Sequence, residues 1–237
     1  MKARVAQMWR YPVKSLQGEQ VDALMLTPNG LEGDRSYAIF DVESGFGLTA
    51  RRLPQLLFAS ARIRDDRSVE ITLPDGHVGD DDAALCEWLG RKVALRSVDE
   101  PTSRRYENPA DFESETRWEP FDGSRGAFHD SPRAAVSLLS YGTISGWPTR
   151  RFRANLLLED GDEDAMIGSH VGVGEAVLDV RTSIERCVMV TRPQPGGIER
   201  DLDVLRTIHR QRQGRLAVGA LVARPGMVRV GDLLQAA

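Results

Sequence analysis

The sequence predicts a mostly β protein with a few helices, built in two parts. Three observations carry this. Short segments that alternate apolar and polar residues recur along the chain, separated by Gly and Pro turns. Helical period is confined to a few segments, clearest at Asp81–Gly90 and Leu202–Arg210. Residues 99–126, DEPTSRRYENPADFESETRWEPFDGSRG, are polar, hold three prolines and lack a sustained apolar period, which reads as a long connection.

In chain order, Val5–Trp9 reads as a strand. Pro12 fixes its own φ and pushes Tyr11 out of the helical region, so the chain leaves that strand extended. Gln20–Leu26 alternates, with Val21, Ala23 and Met25 on one face. Turns follow at Thr27–Gly30 and Gly33-Asp34. Ser36–Asp41 is expected to pair with a returning Leu48–Arg51 across a Gly-bearing turn. Phe58–Arg64 and Ser68–Leu73 form a second strand pair. In the first helix Ala84, Leu85, Trp88 and Leu89 share a face, with Asp81 or Asp82 as cap and Gly90 as stop. Val93–Val98 is a strand.

Beyond the connection, Ala134–Leu139 is a strand, and Ser140 is placed to cap a short helix ending near Gly146. Phe152–Leu158, Val171–Val173, Ala176–Val180 and Cys187–Val190 read as strands. The second helix turns Leu205 and Ile208 inward. Leu216–Ala223 and Met227–Val230 are expected to form a hairpin across Arg224-Pro225-Gly226. Short strands with Gly turns in this half suggest a closed barrel or sandwich.

A formal charge of −4 over 237 residues argues against a general nucleic-acid binder. No apolar run reaches membrane-spanning length, and the first residues lack the apolar stretch of a secretory signal. Two cysteines support neither a disulfide framework nor an iron–sulfur site, so the expectation is a reduced, cytoplasmic protein. The basic residues are nearly all arginine; lysine occurs at Lys2, Lys14 and Lys92 only, and Lys14 alone sits inside a motif.

Four polar clusters fall at strand ends or turns: Lys14-Ser15, Gly33-Asp34-Arg35, Thr49-Ala50-Arg51-Arg52, and Arg151-Phe152-Arg153-Ala154-Asn155. Each sets a cation beside a small or hydroxyl residue. Converging on one cleft they would take a polar anion, since arginine gives bidentate bonds to phosphate and lysine a point charge. Spread over the surface, they would be solvated charges. Cys187 poses the same choice. A cysteine in an apolar strand packs as a small hydrophobe, whereas Arg186 beside it favours the thiolate that binds soft metals. Cys86 lies on the helix with Trp88 and reads as packing. The histidines, His77, His129, His170 and His209, lack zinc-ligand spacing. P-loop, dinucleotide and nucleophile-elbow motifs are missing from the sequence.

The ordered set YPVKS, GLEGDR, LTARRLPQL, RFRAN, ERC and RPGMVRVGD resembles the MOSC family, named after the C-terminal domain of molybdenum cofactor sulfurase. The order is similar to the two-part form, which also occurs in the mitochondrial amidoxime-reducing component. The resemblance implies an N-terminal MOSC β-barrel-like domain over residues 1–110 and a MOSC domain over residues 111–237. It implies a molybdenum cofactor (Mo-molybdopterin) with Cys187 as the metal ligand, cradled by Lys14, Ser15, Arg35, Thr49, Arg51, Arg153 and Asn155. The family's Arg-Pro-Asn is Arg153-Ala154-Asn155 here, and the stretch after Cys187 departs from the mitochondrial enzymes.

The implied activity is reduction of N-hydroxylated or related N–O small molecules by oxygen-atom transfer. A separate reductase or ferredoxin-type protein would supply electrons, with no nucleic-acid or membrane partner. Two other readings stand beside it. One is a non-catalytic carrier of the cofactor or of a persulfide on Cys187. The other is a pyridoxal phosphate protein using Lys14, an association that comes with the family name.

Overall fold

The computed structural model describes residues 3–144 and 146–237; Met1, Lys2 and Ser145 lie outside the described residues. Its centre is an eight-stranded sheet, seven strands of which close into a ring while Glu19–Val21 pairs alongside Ala3–Arg10. Around the ring run Leu156–Leu158, Val136–Ser140, Arg215–Arg224, Ala176–Glu185, His170–Val173, Leu233–Ala236 and Ala3–Arg10, and the last pairs back to the first. Closure removes the free sheet edges that would otherwise be exposed. Alternate residues of these strands fill the interior, among them Val5, Met8, Leu138, Leu156, Leu178, Val180 and Val218. Each such side chain contributes roughly 2 kcal/mol by leaving water. Ala3–Arg10 comes from the start of the chain, yet it is a stave of a ring otherwise built after residue 136.

Val136–Ser140 and Leu156–Leu158 are neighbours in parallel. Parallel strands need a crossover. Here residues 141–155 supply it, through a helical turn at Tyr141–Ile144 and a 3-10 turn at Thr149–Arg151. The crossover delivers Arg151, Arg153 and Asn155 to one end of the ring.

A second core gathers Val13, Leu16, Ile39, Leu56, Leu57, Ile71 and Leu85. Around it lie the Ser60–Ile63/Val69–Thr72 pair and the helix Asp82–Leu89. Asp81 caps this helix by accepting from the Ala84 N–H at 2.8 Å, and Gly90 ends it at φ 64°. The helix Leu202–Arg212 buries Val204, Leu205 and Ile208 against a third core with Phe152 and Leu216. Its last turn carries His209, Arg210 and Arg212, which suit the negative end of the helix dipole.

Four expectations are corrected. Tyr37–Asp41 pairs with Val93–Ser97 over five residues, so the return at Leu48–Arg51 shrinks to one bridge, Phe40 to Gly47. Gly226–Arg229 does not fold back on Arg215–Arg224; it pairs with Ala23–Thr27. Gly226 lets the chain pass close to the neighbouring backbone there: a Cβ on it would lie 2.5 Å from the Glu175 carbonyl carbon. Residues 105–109 and 118–122, inside the expected connection, form an antiparallel hairpin. Pro120 is tolerated because a two-stranded ribbon leaves one side of each strand unpaired. Finally, the strand Ala176–Glu185 stops before Cys187, and Val188–Thr191 is a 3-10 turn.

Candidate functional site

A cleft of about 630 Å³ opens where the crossover, the second core and the Arg105–Asp122 hairpin meet. The structure brings Lys14, Ser15, Arg35, Arg51, Arg153, Asn155 and Cys187 into its wall. Thr49 does not reach the wall. It is buried beneath, where its carbonyl accepts from the Arg52 and Leu53 N–H groups at 3.1 and 2.9 Å and shapes the turn that presents Arg51.

Three wall residues hold left-handed backbone without being glycine: Ser15 at φ 71°, Arg35 at 50° and Arg153 at 51°. Each costs about 1 kcal/mol or more. Main-chain bonds hold the first two there, and a side-chain bond anchors Arg153. The Leu16 N–H donates to the Val13 carbonyl across Ser15, and the Arg35 N–H donates to the Tyr11 carbonyl at 2.7 Å. The Arg153 guanidinium donates to the Leu16 carbonyl and lies 4.2 Å from the centroid of the Tyr11 ring. Arg35 pairs with Asp34 and faces the same ring at 5.1 Å. Tyr11 therefore serves as a shared apolar floor for two guanidiniums.

Lys14 donates to the Phe128 carbonyl at 2.8 Å and pairs with Asp130, which also pairs with Arg51. Its ammonium sits 4.3 Å from the Tyr106 ring centroid. Burial pushes the Lys14 pKa down to about 8, against the pull of Asp130. Asp130 is itself held well below the usual carboxylate range: burial opposes this, but Arg51 and Lys14 outweigh it. Its side chain still shows 44 % of its surface to the cleft, so solvent screens the pairs in part. Burial pushes His129 down to about 4, with Arg35 and Lys14 adding to it, which leaves the imidazole neutral at neutral pH.

Asn155 lines the cleft but is committed to the fold. Its Oδ1 accepts from the Ser137 N–H at 3.1 Å and hydroxyl at 2.9 Å, and its Nδ2 donates to the Trp9 carbonyl at 3.2 Å. It laces the crossover to two ring strands.

Cys187 is half-buried and opens the Val188–Thr191 turn. Arg151, from the crossover, clamps that turn by donating to the Val190 carbonyl at 3.0 Å and the Arg192 carbonyl at 3.2 Å. Two further guanidiniums flank the thiol. Arg186 donates to the Leu216 carbonyl at 2.8 Å and the Phe152 carbonyl at 3.0 Å; burial pushes it down to about 10, with the Cys187 sulfur opposing. Burial also weighs on Arg51, but Asp130 and Cys187 outweigh it and hold that guanidinium above its ordinary range. Arg51 Nε and Arg186 Nη2 are buried donors without a partner among the described residues. Cys86, by contrast, accepts from the Val93 N–H at 3.2 Å and joins the first helix to the next strand.

Sequence reading missed Asp130, His129 and Tyr106. His129 lacks zinc-ligand spacing, and the partners of Asp130, Lys14 and Arg51, lie far away in sequence. An unmatched set of cations at strand ends was the available signal that a carboxylate had to meet them.

Two family models match the chain: a MOSC N-terminal beta barrel domain over residues 2–89 and a MOSC domain over residues 126–235. The chain belongs to the MOSC family. Its relatives include the molybdenum cofactor sulfurase of Drosophila grimshawi, 27% identical over 260 residues, covering 94% of this chain and 32% of that protein. The sulfurase of Drosophila mojavensis is 24% identical over 258 residues with the same coverage. The chain thus spans about a third of the length of the curated relatives it matches. Among solved structures, the YUAD protein from Bacillus subtilis superposes at a TM-score of 0.46 with 14% identity, over 99% of this chain and 94% of that one. Among the described residues, no helix is long and apolar enough to cross a membrane. No group of three or more His, Cys, Asp and Glu is placed to hold a metal among them. In this MOSC chain the Arg105–Asp122 hairpin lies outside both matched segments.

Proposed function

We propose that the cleft holds a molybdenum–pterin cofactor with Cys187 as the protein's ligand to the metal. The loaded protein is an oxidoreductase acting on N-hydroxylated or related N–O small molecules. The observation that carries this is the setting of Cys187: one thiol in a cationic cleft, flanked by two guanidiniums that each keep a buried N–H unpartnered, Arg51 Nε and Arg186 Nη2. Unpaired buried donors of this kind are costly and call for an acceptor from a ligand. The relatives' name supports the choice of cofactor.

The residues fit such a group. A cleft of about 630 Å³ lies within the range of small-molecule sites. A single thiolate suits a metal that arrives with soft ligands of its own. Lys14, Arg35 and Arg153 would bind the phosphate, and Ser15 would add a polar contact at the rim. When bound, the molybdenum supplies oxygen-atom transfer coupled to two-electron redox chemistry. Arg51 and Arg186 hold positive charge beside the reacting region, and Asp130 fixes Lys14 and Arg51 in place. The overall change is conversion of R–NHOH, two electrons and two protons into R–NH2 and water. The electrons come from a separate reductase or ferredoxin-type protein.

The relatives' name favours one second reading, a sulfur carrier bearing a persulfide on Cys187. Assay of protein made in a cofactor-producing host, with reduced viologen as electron source and a hydroxylamine as substrate, tests the first reading. Turnover by the wild type and none by a folded Cys187→Ser supports it. No turnover by the wild type, with one extra sulfur atom on Cys187 by mass, supports the second.

A further inference from the structure

The main chain that follows Cys187 can be accounted for bond by bond. The Cys187 carbonyl accepts from the Val190 N–H at 3.2 Å, and the Val188 carbonyl from the Thr191 hydroxyl at 2.8 Å. The Met189 carbonyl accepts from the Arg192 N–H at 3.2 Å, and the Thr191 carbonyl from the Asp201 N–H at 2.9 Å. Two carbonyls are left over, those of Val190 and Arg192, both on buried residues. A single 3-10 turn has no further N–H to offer them. Arg151 serves both from one nitrogen: its Nη1 donates to the Val190 carbonyl at 3.0 Å and to the Arg192 carbonyl at 3.2 Å. Its Nη2 donates to the Glu199 carbonyl at 2.7 Å and ties in the chain further on.

Arg151 is 4 % exposed, and these three bonds all go to neutral carbonyls. Burying a charge in this way is costly. What it secures is the path of the chain beyond the thiol. The residue before the thiol is held from the same place, because Arg186 donates to the carbonyl of Phe152, the neighbour of Arg151. Both grips rise from a turn that Pro148 opens. The Arg151 N–H donates to the Pro148 carbonyl at 3.1 Å, and the Phe152 N–H to the Thr149 carbonyl at 3.0 Å. Consecutive crossover residues thus hold the chain on both sides of Cys187, and the next one, Arg153, stands among the cations of the cleft.

We propose that Arg151 is a positioning residue for the Cys187 thiol. It stands behind the cleft wall and acts through the turn, so that the sulfur meets the metal from one preset direction. The thiol's use as a metal ligand rests on the cofactor reading above. A ligand atom has to be held within about 0.5 Å of its working place, and groups outside the coordination shell supply that restraint. Without Arg151 two buried carbonyls are stranded beside the ligand, and the turn opens to reach water.

The first arm of the test uses cofactor-free protein carrying Cys86→Ala, so that iodoacetamide reports on Cys187 alone. Arg151→Met, Arg151→Lys and Leu178→Ala are compared in that background; Leu178→Ala loses stability in the barrel interior, away from this turn. Arg151→Met is expected to speed alkylation by about tenfold, the opening that one lost hydrogen bond allows. Amide exchange of residues 188–192 is expected to quicken with it. Arg151→Lys keeps a donor and is expected to recover part of the difference. Leu178→Ala is expected to melt lower and leave the alkylation rate within about twofold. Should Arg151→Met fail to fold, Arg151→Lys against Leu178→Ala decides the same question. The second arm uses protein from a cofactor-producing host. Arg151→Met is expected to hold less molybdenum and to shift the electron paramagnetic resonance g-values of the half-reduced metal, which follow the angle of the sulfur to it. If alkylation in the Arg151 and Leu178 variants tracks lost stability alone, Arg151 is only structural and the proposal falls. If the wild type takes up no molybdenum, the cofactor reading falls, and alkylation and exchange still decide whether Arg151 places the thiol.

Discussion

Lys14 and Asp130 meet across the cleft although 116 positions separate them in the chain. The same carboxylate holds Arg51, so one side chain neutralises two buried cations that come from different turns. Asp130 is the hinge of the site's charge balance, and the cleft is built around what it leaves uncompensated.

Asp130→Asn removes that balance. It is expected to cost about 2 kcal/mol of stability, between an exposed pair and a fully buried one, because Asp130 is partly open to the cleft. Inorganic phosphate is expected to restore more stability to the variant than to the wild type, by meeting the freed cations. Urea unfolding with and without phosphate measures both. An unchanged midpoint in the variant would remove Asp130 from this role.

The cleft should lose its grip on anions at a pH where an ordinary lysine would not. Lys14 sits at about 8 in the folded protein against 10.5 for the free side chain. Below about 8 both folded and unfolded chains carry the proton, so folding bears the full cost of burying the charge. Between the two values the unfolded chain binds more protons, so stability rises with pH. Anion binding has the opposite sign, since it needs the ammonium: phosphate affinity is expected to fall as pH rises through about 8. Calorimetric titration from about pH 7 to about pH 10 follows it. Lys14→Arg is expected to flatten the profile, and an equally steep fall in that variant would point to another group.

Asn155 is expected to matter for the fold rather than the ligand. Asn155→Ala strands the Ser137 N–H and the Trp9 carbonyl, at about 3 kcal/mol together. Denaturant unfolding should show that loss, while the folded fraction keeps wild-type phosphate affinity. Weakened binding with unchanged stability would reverse the assignment.

Much of the fold could be read locally. For the helix Asp82–Leu89 the sequence offers Asp81 or Asp82 as cap and Gly90 as stop; Asp81 takes the cap and Gly90 the left-handed stop. Short strands and glycine turns left a closed barrel and a sandwich open for the second half, and closure into a barrel is decided by a strand from the start of the chain, Ala3–Arg10. The misses share a cause, which is long-range pairing. Tyr37–Asp41 found its partner at Val93–Ser97, and Gly226–Arg229 found one at Ala23–Thr27. No periodicity encodes such choices. The hairpin at 105–122 escaped because Tyr106 is its one fully buried strand residue, so no alternation shows. Of the site, the cations were visible as residue types. Asp130 was not, since its meaning comes only from what the fold brings to it.

Molybdenum content tests the central claim most directly. Wild type, Cys187→Ala and Cys86→Ala are produced with molybdate in a host that makes the cofactor and analysed for metal per chain. Near-stoichiometric molybdenum is expected in the wild type and in Cys86→Ala, whose thiol only joins a helix to a strand, with a sharp fall in Cys187→Ala. Equal molybdenum in all three proteins would contradict the account, because Cys187 would then be a packing residue at the edge of the cleft and not the metal's ligand.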